Sequence, residues 1–453
     1  AGDAAPVISI ERFLRQLMAD VLNSSAEDIH PESGYYEMGL DSPGLLGIVR
    51  SIESRIKTSL SPTLLFEYTT IAELSAYLEE HYASQFKQIE AASEQSVSRS
   101  PSHPGFDDLP KPLAPTALSS TPKERTAADD DIAIIGMSGR YPQARNLQEF
   151  WTNLQEGKDC ISEIPESRWD RKRLAGIKSP GGKEMSKWGG FIEDPDCFDP
   201  KFFRISPREA ETMDPQERLF LETCWEAIED AGYTPKSLVT PRGKNKRRNV
   251  GVFAGVMHKD YSLVGAEALS QGEAFPLSLN AGPIANRVSY FCNFHGPSMT
   301  VDTLCSSSLT AVHLAMESIK RGESEVALAG GVNLSLHPAK YMTYGMWGMH
   351  SSDGYCHTFG EGGDGYVSAE GVASVLLKPL NKAIEDNDRI YATIKGSAIN
   401  HVGTVSGIMV PGPVAQGEAI ADCLKQSGIN PRTIRYVEAH GTGTSLGDPI
   451  EIE

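Results

Sequence analysis

Three observations predict an all-α unit followed by an α/β layered unit. Residues 1–84 carry only helical periodicity. Residues 85–128 lose apolar periodicity and collect prolines, from Pro101 to Pro122. From 129 to 453, buried-strand patterns alternate with amphipathic helices, which is the pattern of helices layered on a sheet.

The bulk properties narrow the function. A net charge of −18 argues against nucleic acid as a partner, because phosphate binding needs clustered Lys and Arg. No apolar run reaches the length of a membrane span, and the first six residues lack a signal-peptide pattern. The seven cysteines form no CxxC pair, so neither a zinc site nor a disulfide framework is expected, and the location expected is cytoplasmic. A start at Ala1 rather than Met is expected of a fragment.

In the first unit a helix is predicted over about 8–22, with Ile10, Phe13, Leu14, Leu17, Met18 and Val21 on one face. A second covers about 42–57 and buries Leu45, Leu46, Val49, Ile52 and Ile56. A short turn follows at 63–66, and a last helix spans 71–82 with Leu74 and Leu78 inward. This is a four-helix bundle, small but viable. Ser42 is placed as N-cap of the second helix, with Pro43 at the first helical position. Ser42 is then either a capping serine or a modified one, because a phosphodiester there is favoured by the helix dipole and free N–H groups.

The stretch 85–128 is expected to be a disordered Pro/Ser-rich tether, which either spaces two units passively or holds them at high effective concentration.

The second unit opens on a strand, Asp131-Ile132-Ala133-Ile134-Ile135, followed by Gly136-x-x-Gly139. The third glycine of a dinucleotide site is missing, and Pro142 interrupts the helix it needs. The run Gly360-Glu361-Gly362-Gly363-Asp364-Gly365 formally fits the same fingerprint, but a strand pattern follows it, so a tight loop near a site is the better reading. Further strands are predicted over 250–255, 323–332, 372–377, 390–400 and 434–440. The third and fourth of these are expected to pair antiparallel. A helix is predicted over 417–427.

Cys305 stands between a β-rich run and an amphipathic helix marked by Leu309, Val312, His313, Met316 and Ile319. A sharp strand-to-helix turn would put its thiol at a helix N-terminus, where the dipole lowers the thiol pKa. Cys305 is therefore either a mounted nucleophile or a buried structural cysteine. His440 ends the last predicted strand before Gly441-Thr442-Gly443-Thr444. It either faces a site or makes one structural hydrogen bond.

Two resemblances follow from longer patterns. Glu37-Met38-Gly39-Leu40-Asp41-Ser42, Leu45-Leu46 and Pro62-Thr63-Leu64-Leu65-Phe66-Glu67 resemble an acyl carrier protein of a modular synthase. That resemblance implies 4′-phosphopantetheine on Ser42, with Asp41 matching the acidic residue before it, and a phosphopantetheinyl transferase as partner. Residues 1–90 hold six basic and 14 acidic residues, a net −8, which suits docking to basic patches or simply keeps the unit soluble. Met213-Asp214-Pro215-Gln216-Glu217-Arg218-Leu219, Asp302-Thr303-Leu304-Cys305-Ser306-Ser307-Ser308 and Glu438-Ala439-His440-Gly441-Thr442-Gly443-Thr444 resemble a β-ketoacyl synthase. That resemblance implies a thiolase-like αβαβα fold and a homodimer. It makes Cys305 the nucleophile that takes an acyl chain from a carrier thioester, with an oxyanion hole that includes its own N–H. It makes His440 the stabiliser of the enolate left when a malonyl-type extender loses CO₂. The family's second histidine, in a Lys-Ser-Asn-Ile-Gly-His type motif, is absent from this chain. This stretch alone is therefore expected not to elongate, and decarboxylation of malonyl carrier by it would refute that.

A carrier ahead of a ketosynthase resembles a modular type I polyketide synthase. Residues 359–366 and 400–413 resemble systems whose acyltransferase acts in trans, although Gly412 replaces an expected Asn. The resemblance further implies a downstream acyl carrier protein as partner. A non-elongating ketosynthase that only passes chains on is the alternative. The presence of His440 favours elongation over it. A degradative thiolase is disfavoured by the fused carrier.

Overall fold

The computed structural model describes residues 10–22, 24–35, 38, 40, 42–61, 64–88, 131–179, 182–243, 246–273, 275, 278–405, 407 and 409–453. Asp41 and the stretch 89–130, the greater part of the expected tether, lie outside them. The chain divides into two compact units. One comprises residues 1–125 and 403–410, the other 126–402 and 411–453.

The first unit has α1 (Ile10–Leu22), α2 (Ser42–Ile56), α3 (Leu64–Glu67) and α4 (Ile71–Gln88). Leu14 and Met18 of α1, Leu45, Ile48 and Ile52 of α2, Leu64 and Leu65 of α3, and Leu74 and Leu78 of α4 bury into one core. Val21, expected inward, is 43% exposed, while Ile48, not expected, is fully buried. The 3.6-residue period drifts, so a face chosen at one end of a helix is displaced at the other. Helix α4 runs past residue 82 to Gln88, and Phe86 packs on Phe13 with ring centroids 5.7 Å apart. That contact extends the helix beyond the apolar pattern read from residues 71–82.

The larger unit opens with β1 (Ile132–Arg140), α5 (Leu147–Glu156), β2 (Ser162–Glu163), β3 (Trp188–Gly189), α6 (Pro207–Thr212) and α7 (Pro215–Asp230). It continues with β4 (Val250–Gly255), α8 (Tyr261–Ser270), α9 (Pro283–Cys292), β5 (Ser298–Val301), α10 (Ser307–Lys320), β6 (Val326–Asn333) and α11 (Ala339–Met346). Last come β7 (Gly371–Pro379), α12 (Leu380–Glu385), β8 (Ala392–Ile394), α13 (Pro413–Ser427) and α14 (Gly447–Ile452).

Six strands form one sheet in the order β5-β4-β6-β7-β1-β8. β4 is parallel to β5 and β6, whereas β7 and β1 run antiparallel to their neighbours. Alternate residues of each strand face opposite layers, because the side-chain period of a strand is two. Val252, Leu328 and Leu376 join Leu219, Phe220, Ile284 and Val288 of α7 and α9. Phe253, Ala327, Ala329 and Leu377 join Ala311, Ala315, Met316 and Ile319 of α10. The sheet is thus covered by helices on both faces, as expected of the α/β unit, and the fold is thiolase-like. Among the described residues only this sheet and the two-stranded β2–β3 sheet are formed, so the second large sheet of a five-layered arrangement is not among them.

Three expectations are corrected. The segments at 372–377 and 390–400 do not pair with each other: β1 lies between β7 and β8, and β8 is only three residues long. Residues 434–440 form no strand. No described segment pairs with them, and Tyr436 and Val437 are 77% and 75% exposed. A β pattern without a partner ladder leaves its backbone to solvent. Helix α13 starts at Pro413 rather than 417, since proline fits the first helical position.

Candidate active site

Parallel strands β4, β5 and β6 end at Gly255, Val301 and Asn333, and the loops beyond them hold His258 and Cys305. Crevices at the carboxyl ends of parallel strands are the usual place for sites in α/β sheets. Cys305 sits between β5 and α10 in the strand-to-helix turn expected. Leu304, before it, has φ of +56°, a left-handed conformation that costs a non-glycine residue energy. Local hydrogen bonds hold the turn. Leu304 N–H donates to Asp302 Oδ1 (3.0 Å), Thr303 N–H to Ser307 Oγ (2.9 Å), and Ser307 Oγ–H to the Leu304 carbonyl (2.6 Å).

Two glycines let α10 press its N-terminus onto the sheet. Gly255 and Gly331 are paired across β4 and β6. A Cβ on Gly255 would lie 2.5 Å from Ser308 N, and one on Gly331 would lie 2.9 Å from Ser308 Cβ. Leu309 was expected on the buried face of α10 but is 75% exposed and lines the cavity beside Cys305, while Ala311 and Ala315 take its place inward.

His440 and Cys305 line the same cavity. The imidazole is the main cause holding the thiol below its ordinary pKa. Burial opposes it, and a backbone N–H adds to it. Cys305 in turn raises the His440 pKa, with burial opposing and the charges of Glu451 and Asp448 adding to it. Both shifts run in the direction of a thiolate beside an imidazolium, that is, a nucleophile beside a proton donor. The imidazole dominates the shift, where the sequence pointed to the helix dipole.

A loop rather than a strand carries His440, and α14 holds that loop. The Glu451 carboxylate accepts N–H bonds from His440 and, at 2.7 Å, from Gly441. Asp448 accepts from Gly443 N–H (2.9 Å) and Phe359 N–H (2.7 Å). Thr358 Oγ1 donates to the Gly441 carbonyl (2.8 Å), so the glycine-rich 360–365 run belongs to a loop braced against the His440 loop. Gly443 has φ of +68°, and a Cβ there would overlap the Cys356 carbonyl at 1.5 Å.

The Asp214 motif braces the other side. Asp214 caps α7 and receives Lys259 Nζ at 3.1 Å. Gln216 Nε2 donates to the His258 carbonyl (2.7 Å), and its Oε1 accepts from Leu334 N–H (3.2 Å). A cavity of about 710 Å³ adjoins Cys305 and His440, and its lining includes Met257, His258, Tyr344 and Tyr366. Sequence reasoning did not single out His258 or Tyr344. The placement of Met257-His258 directly beyond β4 was the available signal.

In the first unit α2 begins at Ser42, one residue before the helix start that a capping role implies, a difference within the usual spread of helix ends. The helix runs to Ile56, long enough for its N-terminal dipole to favour a phosphodiester at Ser42. Among the described residues no cluster of metal-ligating side chains occurs, and no helix is long and apolar enough to cross a membrane.

Fold and site together set a cysteine and a histidine on one cavity at the carboxyl ends of parallel strands. Residues 129–383 match the N-terminal domain of β-ketoacyl synthases and 391–453 their C-terminal domain, and the chain belongs to that family. Residues 12–78 match the phosphopantetheine attachment site domain, so the first unit is a carrier for that group. Polyketide synthase PksL of Bacillus subtilis (strain 168) is 67% identical over 98% of this chain and 10% of its own length. Polyketide synthase ThaG of Burkholderia thailandensis is 46% identical over 97% of this chain and 8% of its own. The chain thus spans about a tenth of the length of these relatives. Among solved structures, the oxazolomycin ketosynthase domain OzmH KS7 of Streptomyces albus JA3453 superposes with a TM-score of 0.67 at 51% identity, covering 72% of this chain and 55% of that one. The ketosynthase from module 6 of the bacillaene synthase of Bacillus subtilis 168 gives 0.63 at 42% identity, covering 71% and 53%.

Proposed function

We propose that this chain passes and extends a polyketide chain: Ser42 of the carrier bears the phosphopantetheine, with Asp41 before it, and Cys305 accepts acyl groups for decarboxylative condensation. The observation that carries this is that Cys305 and His440 line one cavity at the carboxyl ends of the parallel strands, with the imidazole lowering the thiol pKa. Attached to Ser42, the phosphopantetheine supplies a thiol that carries acyl groups as thioesters. Cys305 attacks a thioester carbonyl. The new carbon–sulfur bond forms as the old one breaks, and the departing thiolate takes a proton from His440. In the second half-reaction a malonyl-type thioester loses CO₂. Neutral His440 donates its N–H to the enolate oxygen that develops, and the enolate carbon attacks the Cys305 acyl carbonyl to release the thiolate. A histidine placed beside the cysteine supports elongation over mere transfer.

Strand β5 supports a dimer. Among the described residues it is an edge strand paired only with β4, and Met299 is 40% exposed on it. A downstream carrier, an acyltransferase acting in trans and a phosphopantetheinyl transferase are the partners of this reading, and its place is the cytoplasm.

The test uses the full chain with a phosphopantetheinyl transferase and acetyl-coenzyme A. Acetyl label should appear on the peptide containing Ser42 and, by transfer, on that containing Cys305. Ser42→Ala should remove the first. Label on neither peptide contradicts the reading.

A further inference from the structure

The cavity beside Cys305 has mainly apolar and small walls, among them Met257, Leu304, Leu309 and Val312, yet besides His440 it is also lined by His258, Tyr344 and Tyr366. The Tyr344 hydroxyl is 2.9 Å from His258 Nε2. Tyr344 and Tyr366 meet edge to face, with ring centroids 6.1 Å apart. Both tyrosines line the same cavity as Cys305, and burial is the main cause that raises their pKa values. His258 is kept neutral, at a pKa of about 4, by burial and then by the charge of Lys340. Its carbonyl is fixed by Gln216, so the ring is held where it meets Tyr344.

None of these groups serves the thiol–imidazole pair. A phenol oxygen in an apolar cavity favours a ligand atom that completes its hydrogen bonding, and it penalises a methylene placed against it. Polar groups few in number and convergent are what fix ligand orientation in an apolar pocket. We propose that Tyr344, oriented by His258, reads an oxygen function on the acyl chain delivered to Cys305, so that chains hydroxylated near the thioester carbonyl are taken in preference to fully reduced ones. This rests on the reading of Cys305 as acyl acceptor. A hydroxyl suits the pair in either tautomer of His258, because it both donates and accepts.

The experiment offers the full chain the N-acetylcysteamine thioesters of racemic 3-hydroxybutyrate and of butyrate, and follows acylation of the Cys305 peptide by mass. The hydroxylated chain should react faster by about tenfold. Tyr344→Phe should slow the hydroxybutyryl reaction without slowing the butyryl one, bringing the ratio to about one. An unaltered circular dichroism spectrum and Tm show that the variant is folded. Equal wild-type rates, or a faster butyryl reaction, overturn the proposal. So does a parallel loss of both rates in Tyr344→Phe, which would assign the tyrosine to packing. Acylation of Cys305 by neither thioester would instead remove the acyl-acceptor reading, and this proposal with it.

Discussion

The carboxylate of Glu451 accepts the backbone N–H of His440, and through that bond the imidazole beside Cys305 is tied to α14. The same carboxylate accepts from Gly441. Charge-assisted bonds at a half-exposed position are worth about 1 kcal/mol each. Glu451→Ala should loosen the loop and slow iodoacetamide alkylation of Cys305 by about tenfold at most, less than removal of the imidazole itself. Unchanged alkylation would show that the loop holds His440 without α14.

His440 lowers the Cys305 pKa, its imidazole outweighing the burial that opposes it. A lowered thiol pKa means that thiolate forms at lower pH, so alkylation should reach its plateau below the range of a free thiol. In His440→Ala that stabilisation is gone and the profile should move to higher pH, with alkylation at pH 7 slowed by about tenfold. A profile that stays in place would separate the two residues.

Arg168 and Glu370 form a buried ion pair at 2.7 Å, with side chains 7% and 0% exposed. Glu370 also accepts from Ile192 N–H and Ser335 N–H. Arg168→Met strands a buried carboxylate and should cost about 3–5 kcal/mol, read as a lower urea midpoint for the larger unit. A midpoint unchanged from wild type would contradict this.

Burial holds His258 and His350 at pKa values of about 4, with Lys340 contributing to both. In the unfolded chain each takes its proton near pH 6.5, roughly the value of a free imidazole. Between those values the unfolded state binds more protons, so stability falls as pH drops from about 6.5 to 4, by up to about 1.4 kcal/mol per pH unit for each histidine. His350→Gln should flatten the dependence of Tm on pH across that window. An unaltered slope would remove His350 from the account.

Much of this was legible in the sequence, for identifiable reasons. Strand β4 was found at its full length because a strand buried on both faces is a continuous apolar run. Cys305 was placed at its turn because strand and helix periods change there. The pairing of β1 between β7 and β8 was not legible, since neighbours in a sheet are chosen by long-range packing rather than local pattern. The 434–440 segment misled for the opposite reason: its apolar residues are right for a strand, but a strand exists only against a partner. Tyr344 was missed because on a helix an isolated tyrosine looks like core, and only the fold turns its hydroxyl to His258.

The most direct test is the acylation of Cys305. The full chain is exposed to an acyl thioester and its intact mass is followed. One acyl group should be gained, mapped to the Cys305 peptide, and lost in Cys305→Ala. An acyl group that persists in Cys305→Ala, or wild-type protein that gains none, would contradict the assignment of this cysteine as the acceptor.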